Sequence, residues 1–87
     1  MVGGAPSDMG VYLLYAGRRV IYIGRAANIR ERLQEHMRGE VCECSRAASH
    51  YSWEIVLQPR MRELELLQEQ RAAAGGLPPC NSHGALG

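Results

Sequence analysis

Several features that mark other classes of protein are missing from this chain. Its 87 residues contain no phenylalanine and no lysine, and no apolar run approaches the roughly 20 residues that span a bilayer. The N-terminal segment has neither the basic part nor the apolar part of a secretory signal. We therefore expect no membrane association, a cytoplasmic location and one small domain, because so short a chain has no room for a second core.

Cysteine is scarce, and its three copies cannot all pair within one chain. Without a secretory signal, we expect Cys42, Cys44 and Cys80 to be reduced and to behave as small hydrophobic residues. A structural zinc site would recruit these cysteines together with His50 or His83. Because the sequence lacks the Cys-x-x-Cys pairs typical of zinc sites, a small zinc domain is the least favoured alternative.

The net charge is also low, at +1, but it is unevenly distributed. The segment Arg18–Arg38 holds six arginines and two glutamates, a local charge of +4, whereas the rest of the chain holds four arginines and seven acidic residues, a local charge of −3. The basic segment predicts weak, salt-sensitive binding to a polyanion without sequence selectivity.

Two β-rich runs near the N-terminus predict a hairpin. They cover residues 11–15 and 20–23, and a short link that contains glycine joins them. Because side chains alternate along a strand, Tyr12 and Tyr22 are predicted to lie on one face of this hairpin. Residues 1–9 are mostly small or polar, and we expect them to form a flexible tail.

A helix is predicted after the hairpin. Asn28 is a typical capping residue, and Glu31 follows three positions later, as in a capping box. Ile29, Leu33 and Met37 recur every four residues and predict the buried stripe of this helix.

The second half of the chain predicts a loop, a strand and another helix. Residues 39–49 show no clear period, residues 51–57 alternate apolar and polar side chains, and residues 60–74 have a helical composition. The buried stripe of the second helix is assigned to Met61, Leu64 and Leu67, and Leu66 widens it.

The predicted order β-β-α-β-α describes an α/β (α+β) fold. It is a small three-stranded antiparallel sheet flanked by helices, with the domain at residues 10–81 and a second tail at 82–87.

Short motifs follow one another in a set order along these elements. They are Gly10-Val11-Tyr12, Tyr22-Ile23-Gly24, Arg32 on the first helix, Glu63 on the second, and Pro78-Pro79-Cys80-Asn81. This series resembles the GIY-YIG endonuclease domain of excision-repair nucleases, homing endonucleases and some restriction enzymes. The resemblance covers most of the chain and implies metal-dependent hydrolysis of DNA phosphodiester bonds.

The resemblance also implies a role for individual side chains. Tyr12 and Tyr22 line the site, Arg32 binds the scissile phosphate, and Glu63 holds one divalent ion, Mg²⁺ or Mn²⁺. Arg25 occupies a position where many relatives have lysine, and it is a second candidate for phosphate binding. Arginine suits that task because its planar fork binds a phosphate in a bidentate manner.

The remaining candidates support these groups. Gly10, Gly24 and Asn81 match structural positions of the motifs. His36 lies one helical turn after Arg32 and is placed either to assist proton transfer or to cover the sheet. A tyrosine, with an ordinary pKa near 10, is a poor base unless a neighbouring cation lowers that pKa.

The choice of metal ligand stays open between two glutamates. Glu63 is followed at the third and fourth positions by leucines, as in relatives, whereas Glu69 has the spacing to Asn81 that excision-repair relatives show. We favour Glu63 because the leucine pair fixes which way the helix faces, and we keep Glu69 as the alternative. Glu65 is the next glutamate after Glu63, on the other side of Leu64.

Two interpretations of function differ in class. The favoured one is a single-domain endonuclease, and the other is a non-catalytic nucleic-acid-binding module on the same fold. Relatives with known targets usually carry a separate DNA-binding domain. We therefore expect a nuclease that acts on DNA structure or within a complex with a partner protein, or a module that has lost its appendage.

Overall fold

The computed structural model describes residues 4–41 and 43–81, and it has the predicted element order. The elements are β1 (Gly10–Ala16), β2 (Arg19–Ala26), α1 (Ile29–Met37), a 3-10 helix (Glu43–Ala47), β3 (His50–Ile55) and α2 (Pro59–Ala74). The three strands form one antiparallel sheet in the order β2-β1-β3. The predicted α/β (α+β) fold is therefore confirmed.

The hairpin between β1 and β2 sets the positions of both tyrosines. Gly17 turns the chain with a φ of 64°, a conformation that glycine adopts without steric cost. Tyr12 pairs with Gly24 across the two strands, and Leu14 pairs with Tyr22. Directly paired residues share a face of the sheet, so the two tyrosines lie on one side as predicted.

Helices cover both faces of this hairpin. On one face Tyr12 and Tyr22 pack with Ile29 and Leu33 of α1, and all four side chains are fully buried. The opposite face, which carries Val11 and Ile23, packs against Leu66 of α2. We call these the α1 side and the α2 side of the sheet.

The start of α1 agrees with the capping prediction. The Asn28 side chain accepts a hydrogen bond from the Glu31 backbone N–H at 3.0 Å, which satisfies one of the free donors of the first turn. Ile29 and Leu33 are buried, and Met37 is half-buried.

The expected flexible tail is wrong for the part that the structure describes. Ala5 is fully buried, and the backbone N–H groups of Ile29 and Arg30 donate to the carbonyls of Asp8 and Pro6, each at 3.0 Å. Free donors at a helix start need such acceptors, and the N-terminal segment supplies them. Residues 1–3 and the predicted second tail at 82–87 lie outside the described residues.

The predicted stripe of α2 is wrong at Met61 and Leu64 and is confirmed at Leu66. Met61 and Leu64 are 60% and 52% exposed, whereas Glu63 and Leu66 are buried. The helix has apolar residues on more than one side, and contact with the sheet, rather than its own periodicity, decides which side is buried. Pro59 is the first residue of the helix, where it needs no N–H donor.

β3 is shorter than predicted, and two of its apolar side chains are exposed. It ends at Ile55, and Trp53 and Ile55 are 36% and 59% exposed. It is an edge strand of the sheet and pairs with β1.

Two of the three cysteines are oxidised, whereas the sequence predicts reduced thiols. Cys44 and Cys80 form a disulfide, and Cys44 belongs to the 3-10 helix in the segment that was expected to be a loop. Both thiols are therefore unavailable for the zinc site considered above, and Cys42 lies outside the described residues. In the described part of the chain, no three His, Cys, Asp or Glu side chains are grouped to hold a metal ion.

Across the same residues, no helix combines the length and the apolar character that a membrane span needs.

Candidate functional site

A chain of three hydrogen-bonded side chains forms the centre of the α1 side. The Tyr12 hydroxyl lies 2.7 Å from Nε2 of His36, and Nδ1 of the same ring lies 2.8 Å from Oγ of Ser45. All three residues are fully buried. His36 comes from α1, Tyr12 from the central strand and Ser45 from the 3-10 helix, so three elements meet at this imidazole.

Arg32 adds a positive charge beside this chain. It lies one turn before His36 on α1, donates to Glu35 at 2.9 Å and also interacts with the Tyr12 hydroxyl. Its side chain remains 30% exposed. The guanidinium therefore links the buried hydroxyl to solvent.

Burial controls the protonation of both titratable groups. The pKa of His36 is lowered to about 4, mainly by burial and also by the charge of Arg32, while Glu35 acts in the opposite direction. Burial also raises the pKa of Tyr12 above its ordinary value, with a contribution from Tyr22, against the opposing influence of Arg32. At neutral pH, Tyr12 is a phenol and His36 a neutral imidazole.

Tyr22 completes this aromatic cluster. Its ring centroid lies 4.7 Å from that of His36 and 6.0 Å from that of Tyr12. Gly24 is needed for this packing, because a Cβ there would lie 2.6 Å from the Tyr12 hydroxyl and 2.9 Å from the Tyr22 ring. The glycine of the second motif thus makes room for both tyrosines.

An ion pair occupies the α2 side at the next position of β2. Arg25 donates to Glu63 of α2 at 2.6 Å, and the two side chains are 46% and 9% exposed. Consecutive strand residues point to opposite faces. Gly24 lies next to the Tyr12 hydroxyl on one face of β2, and Arg25 contacts the Glu63 carboxylate on the other face. The two groups are therefore at neighbouring positions along β2 but on opposite faces.

The other two candidate glutamates of α2 lie elsewhere. Glu65 and Glu69 are 57% and 67% exposed, and both contact Arg62, at 3.1 and 3.7 Å. Arg62 also binds Glu54 of β3 through two hydrogen bonds. These carboxylates belong to a solvent-facing charge network on the part of α2 near β3.

Asn81 holds the free edge of β2. Its side-chain amide donates to the Ile23 carbonyl and its side-chain oxygen accepts from the Ile23 N–H, both at 2.9 Å. The Cys80 N–H donates to the Ile21 carbonyl at 2.8 Å. The C-terminal segment therefore covers the edge as far as Ile23, one residue before Gly24. Gly10 lies on β1, where an added Cβ would overlap the Glu54 carbonyl oxygen of β3.

A groove opens next to Arg32 at the start of α1. It has a volume of about 310 Å³ and is lined by Ala26, Ala27, Asn28, Glu31, Arg32 and Glu35. The groove lies at the end of β2, directly after Arg25. Its charged lining consists of the Arg32 guanidinium and the carboxylates of Glu31 and Glu35.

The structure brings the sequence-predicted residues together in two groups. Tyr12, Tyr22, Arg32 and His36 form the α1-side cluster, and Arg25 and Glu63 form the α2-side pair. Sequence reasoning missed Ser45, which lies in a stretch without periodicity. Nothing in the sequence around this serine distinguishes it from an ordinary loop residue.

The chain matches the model of a known family. Residues 8–72 match the family model of the GIY-YIG catalytic domain. A curated relative, UvrABC system protein C from Aquifex aeolicus, is 45% identical over 38 residues, which are 44% of this chain and 7% of that protein. The chain therefore spans only a small fraction of the relative's length.

Solved structures share the fold. The N-terminal GIY-YIG endonuclease domain of UvrC from Thermotoga maritima, in a point mutant bound to its catalytic divalent cation, superposes with a TM-score of 0.69 at 24% identity. The match covers 80% of this chain and 84% of that chain. The same domain bound to magnesium also gives a TM-score of 0.69, at 23% identity over 80% of this chain and 85% of that one.

Proposed function

The chain belongs to the GIY-YIG catalytic domain family, and from this premise we propose that it is an endonuclease that hydrolyses DNA phosphodiester bonds with one divalent metal ion. One observation carries the proposal. The buried Tyr12 hydroxyl contacts a neutral imidazole on one side and the Arg32 guanidinium on the other. The Tyr12 oxygen therefore lies next to both a proton acceptor and a cation that can bind phosphate.

Tyr12 would act in the activation of water. The attacking water forms a bond to phosphorus and transfers a proton to the Tyr12 oxygen, while the hydrogen of Tyr12 passes to Nε2 of His36. The phosphorus–oxygen bond to the leaving strand breaks, and that oxygen takes a proton from solvent. The phenol keeps its proton in the free protein, since burial raises the pKa of Tyr12. The transfer therefore needs the substrate in place.

Bound phosphate would prepare this transfer. The positive charge of Arg32 is one reason for the low pKa of His36, second to burial. A phosphodiester anion against the guanidinium offsets that charge and makes the imidazole a better proton acceptor. Arg32 would also stabilise the negative charge that develops on the phosphate in the transition state. Tyr22 holds both rings in place by packing.

The α2 side fits a magnesium or manganese ion. Mg²⁺ prefers carboxylate oxygens, keeps several of its waters and often takes only one or two protein ligands. Glu63 supplies such a carboxylate, and the half-exposed Arg25 side chain leaves a route to it. When bound, the ion would neutralise charge on the phosphate and polarise its oxygen. The burial of Glu63 supports it as the ligand over Glu65 and Glu69, which contact Arg62 instead.

The choice of target DNA is proposed to come from a partner protein. The arginine-rich segment Arg18–Arg38 would bind phosphates, and contacts to phosphates carry no information about base sequence. All the helices and strands within the described residues belong to the three-stranded sheet and the helices around it, so we look for the source of target choice in a partner.

Nicking of supercoiled plasmid DNA tests the proposed function. We expect nicking with Mg²⁺ or Mn²⁺ and none in excess EDTA. The substitution Tyr12→Phe should reduce the nicking rate about 10³-fold, as expected for the loss of a group in proton transfer. Tyr15→Phe is the matched control, because Tyr15 lies on the same strand but hydrogen-bonds to Ser52 of β3.

A second pair of variants tests the metal ligand. Glu63→Gln should abolish metal-dependent nicking, whereas Glu69→Gln should leave it near the wild-type rate. The opposite pattern would assign the metal to Glu69. Salt-sensitive DNA binding without cleavage under any of these conditions would identify a non-catalytic binding module and overturn the proposal.

A further inference from the structure

The contact that fixes the orientation of the His36 ring comes from outside the motifs. Oγ of Ser45 lies 2.8 Å from Nδ1 of His36, and Ser45 is fully buried. A neutral imidazole carries one hydrogen, on either Nδ1 or Nε2. A serine hydroxyl can donate or accept a hydrogen bond, so Nε2 is free to accept a proton from Tyr12 only in the arrangement in which Ser45 accepts the hydrogen of Nδ1.

The donors around Tyr12 favour one arrangement. Arg32 can only donate hydrogen bonds, so the Tyr12 oxygen accepts where it contacts the guanidinium. The hydrogen of Tyr12 is then available for Nε2 of His36, at 2.7 Å, or for the Tyr22 hydroxyl, which also interacts with Tyr12. With Nε2 accepting, the ring hydrogen lies on Nδ1 and points at Ser45.

Ser45 is firmly held at this position. It belongs to the 3-10 helix, and its carbonyl accepts from the Ala48 N–H at 3.2 Å. The neighbouring Cys44 forms the disulfide to Cys80, which itself is hydrogen-bonded to the edge of β2 at Ile21. The disulfide and this hydrogen bond therefore connect the segment that contains Ser45 to β2, the strand that carries Tyr22.

We propose that Ser45 is a positioning residue for the reaction, which accepts the Nδ1 hydrogen of His36 and so keeps Nε2 unprotonated toward Tyr12. This inference rests on the proposed function for its chemical meaning. Without Ser45, the ordinary preference of a neutral imidazole for the Nε2–H form would turn His36 into a donor to Tyr12. It would then be unable to take the proton of Tyr12.

Histidine side-chain NMR tests this assignment without any activity. The ¹⁵N shifts of selectively labelled protein at pH 7 distinguish the two neutral forms. We expect the wild-type protein to have His36 protonated on Nδ1, and Ser45→Ala to shift it toward the Nε2–H form. A wild-type spectrum with the hydrogen on Nε2, or an unchanged spectrum in Ser45→Ala, would overturn the proposal.

The chain offers a matched control. Ser49 makes the same kind of contact with His50, at 2.8 Å from Nδ1, but in an exposed position away from Tyr12. Ser49→Ala should leave the form of His36 unchanged. In the nicking assay Ser45→Ala should lose about 10- to 100-fold in rate with little change in DNA affinity, and Ser45→Thr should recover part of that loss by restoring the hydroxyl.

The two proposals fail in different ways. If the wild-type protein does not nick DNA while Ser45→Ala still changes the form of His36, the proposed function is wrong and the Ser45–His36 contact stands. If the protein nicks DNA and the rate is unaffected by Ser45→Ala, Ser45 has no part in the reaction.

Discussion

The two faces of β2 hold their functional groups in opposite ways. On the α1 side, Tyr12, His36 and Ser45 are uncharged at neutral pH, fully buried and joined by short hydrogen bonds. On the α2 side, the charged pair of Arg25 and Glu63 is held at 2.6 Å, with the arginine side chain 46% exposed.

This difference fits two different roles, a fixed geometry on the α1 side and the binding of a cation on the α2 side. Neutral groups that are buried in the core can keep a fixed geometry, because any movement leaves a polar atom without a partner. A carboxylate that is to bind a metal ion needs a partner that can leave. The α1 side is therefore coupled to the stability of the fold, whereas the proposed function requires the α2 side to exchange its cation.

The largest expected effect is the pH dependence that His36 gives to stability. Its pKa of about 4 in the folded protein is lower than the ordinary value of 6.5, so the unfolded chain binds a proton more readily between these values. Stability should be complete above pH 6.5 and should decrease as the pH falls toward 4. A shift of this size corresponds to about 3 kcal/mol.

Urea unfolding at pH 7 and pH 4 measures this loss. Glu40 and Glu54 also have lowered pKa values, because arginines hydrogen-bond to them, and they act in the same direction. His36→Gln keeps those carboxylates and removes the imidazole, so the pH dependence of this variant should be smaller by about 3 kcal/mol. Equal pH dependence in both proteins would show that the imidazole is not buried.

A smaller effect is expected when the α1 side is overpacked. Gly24→Ala places a methyl group 2.6 Å from the Tyr12 hydroxyl, and overpacking of a close-packed interior costs about 2 kcal/mol. Gly76→Ala is the control, since a Cβ there meets nothing within 4 Å. Urea unfolding checks both, and equal midpoints for the two variants would mean that the cluster around Tyr12 is loosely packed.

The sequence predicts the architecture well because the hairpin and α1 follow local rules. Strand alternation places Tyr12 and Tyr22 on one face, and the Asn28 cap defines the start of α1. The motifs also select the side chains that the structure assembles, since Arg32 and His36 are one turn apart on the same helix.

Long-range packing explains what the sequence does not predict. The buried side of α2 depends on its contact with the sheet, so Met61 and Leu64 face solvent despite their spacing. The disulfide joins cysteines that are 36 residues apart, and their pairing depends on the tertiary fold. Ser45 reaches His36 only because the 3-10 helix folds against α1, and no local pattern indicates that contact.

The smallest effect is expected on the α2 side. Arg25→Gln removes the charge next to Glu63, and an ion pair with a half-exposed partner contributes less than about 1 kcal/mol. Screening by salt should reduce even this amount. A double-mutant cycle of Arg25→Gln and Glu63→Gln, measured by urea unfolding at low and high salt, gives the interaction free energy of the pair.

The same cycle bears on the proposed metal site. A weak pair means that the fold does not depend on Arg25, so the guanidinium can move aside when a divalent ion binds Glu63. An interaction free energy above about 3 kcal/mol would instead be typical of a buried structural ion pair. Glu63 would then be fixed to Arg25 as firmly as Tyr12 is fixed to His36, and the two faces of β2 would no longer differ. In that case the α2 side would not exchange its cation for a divalent ion.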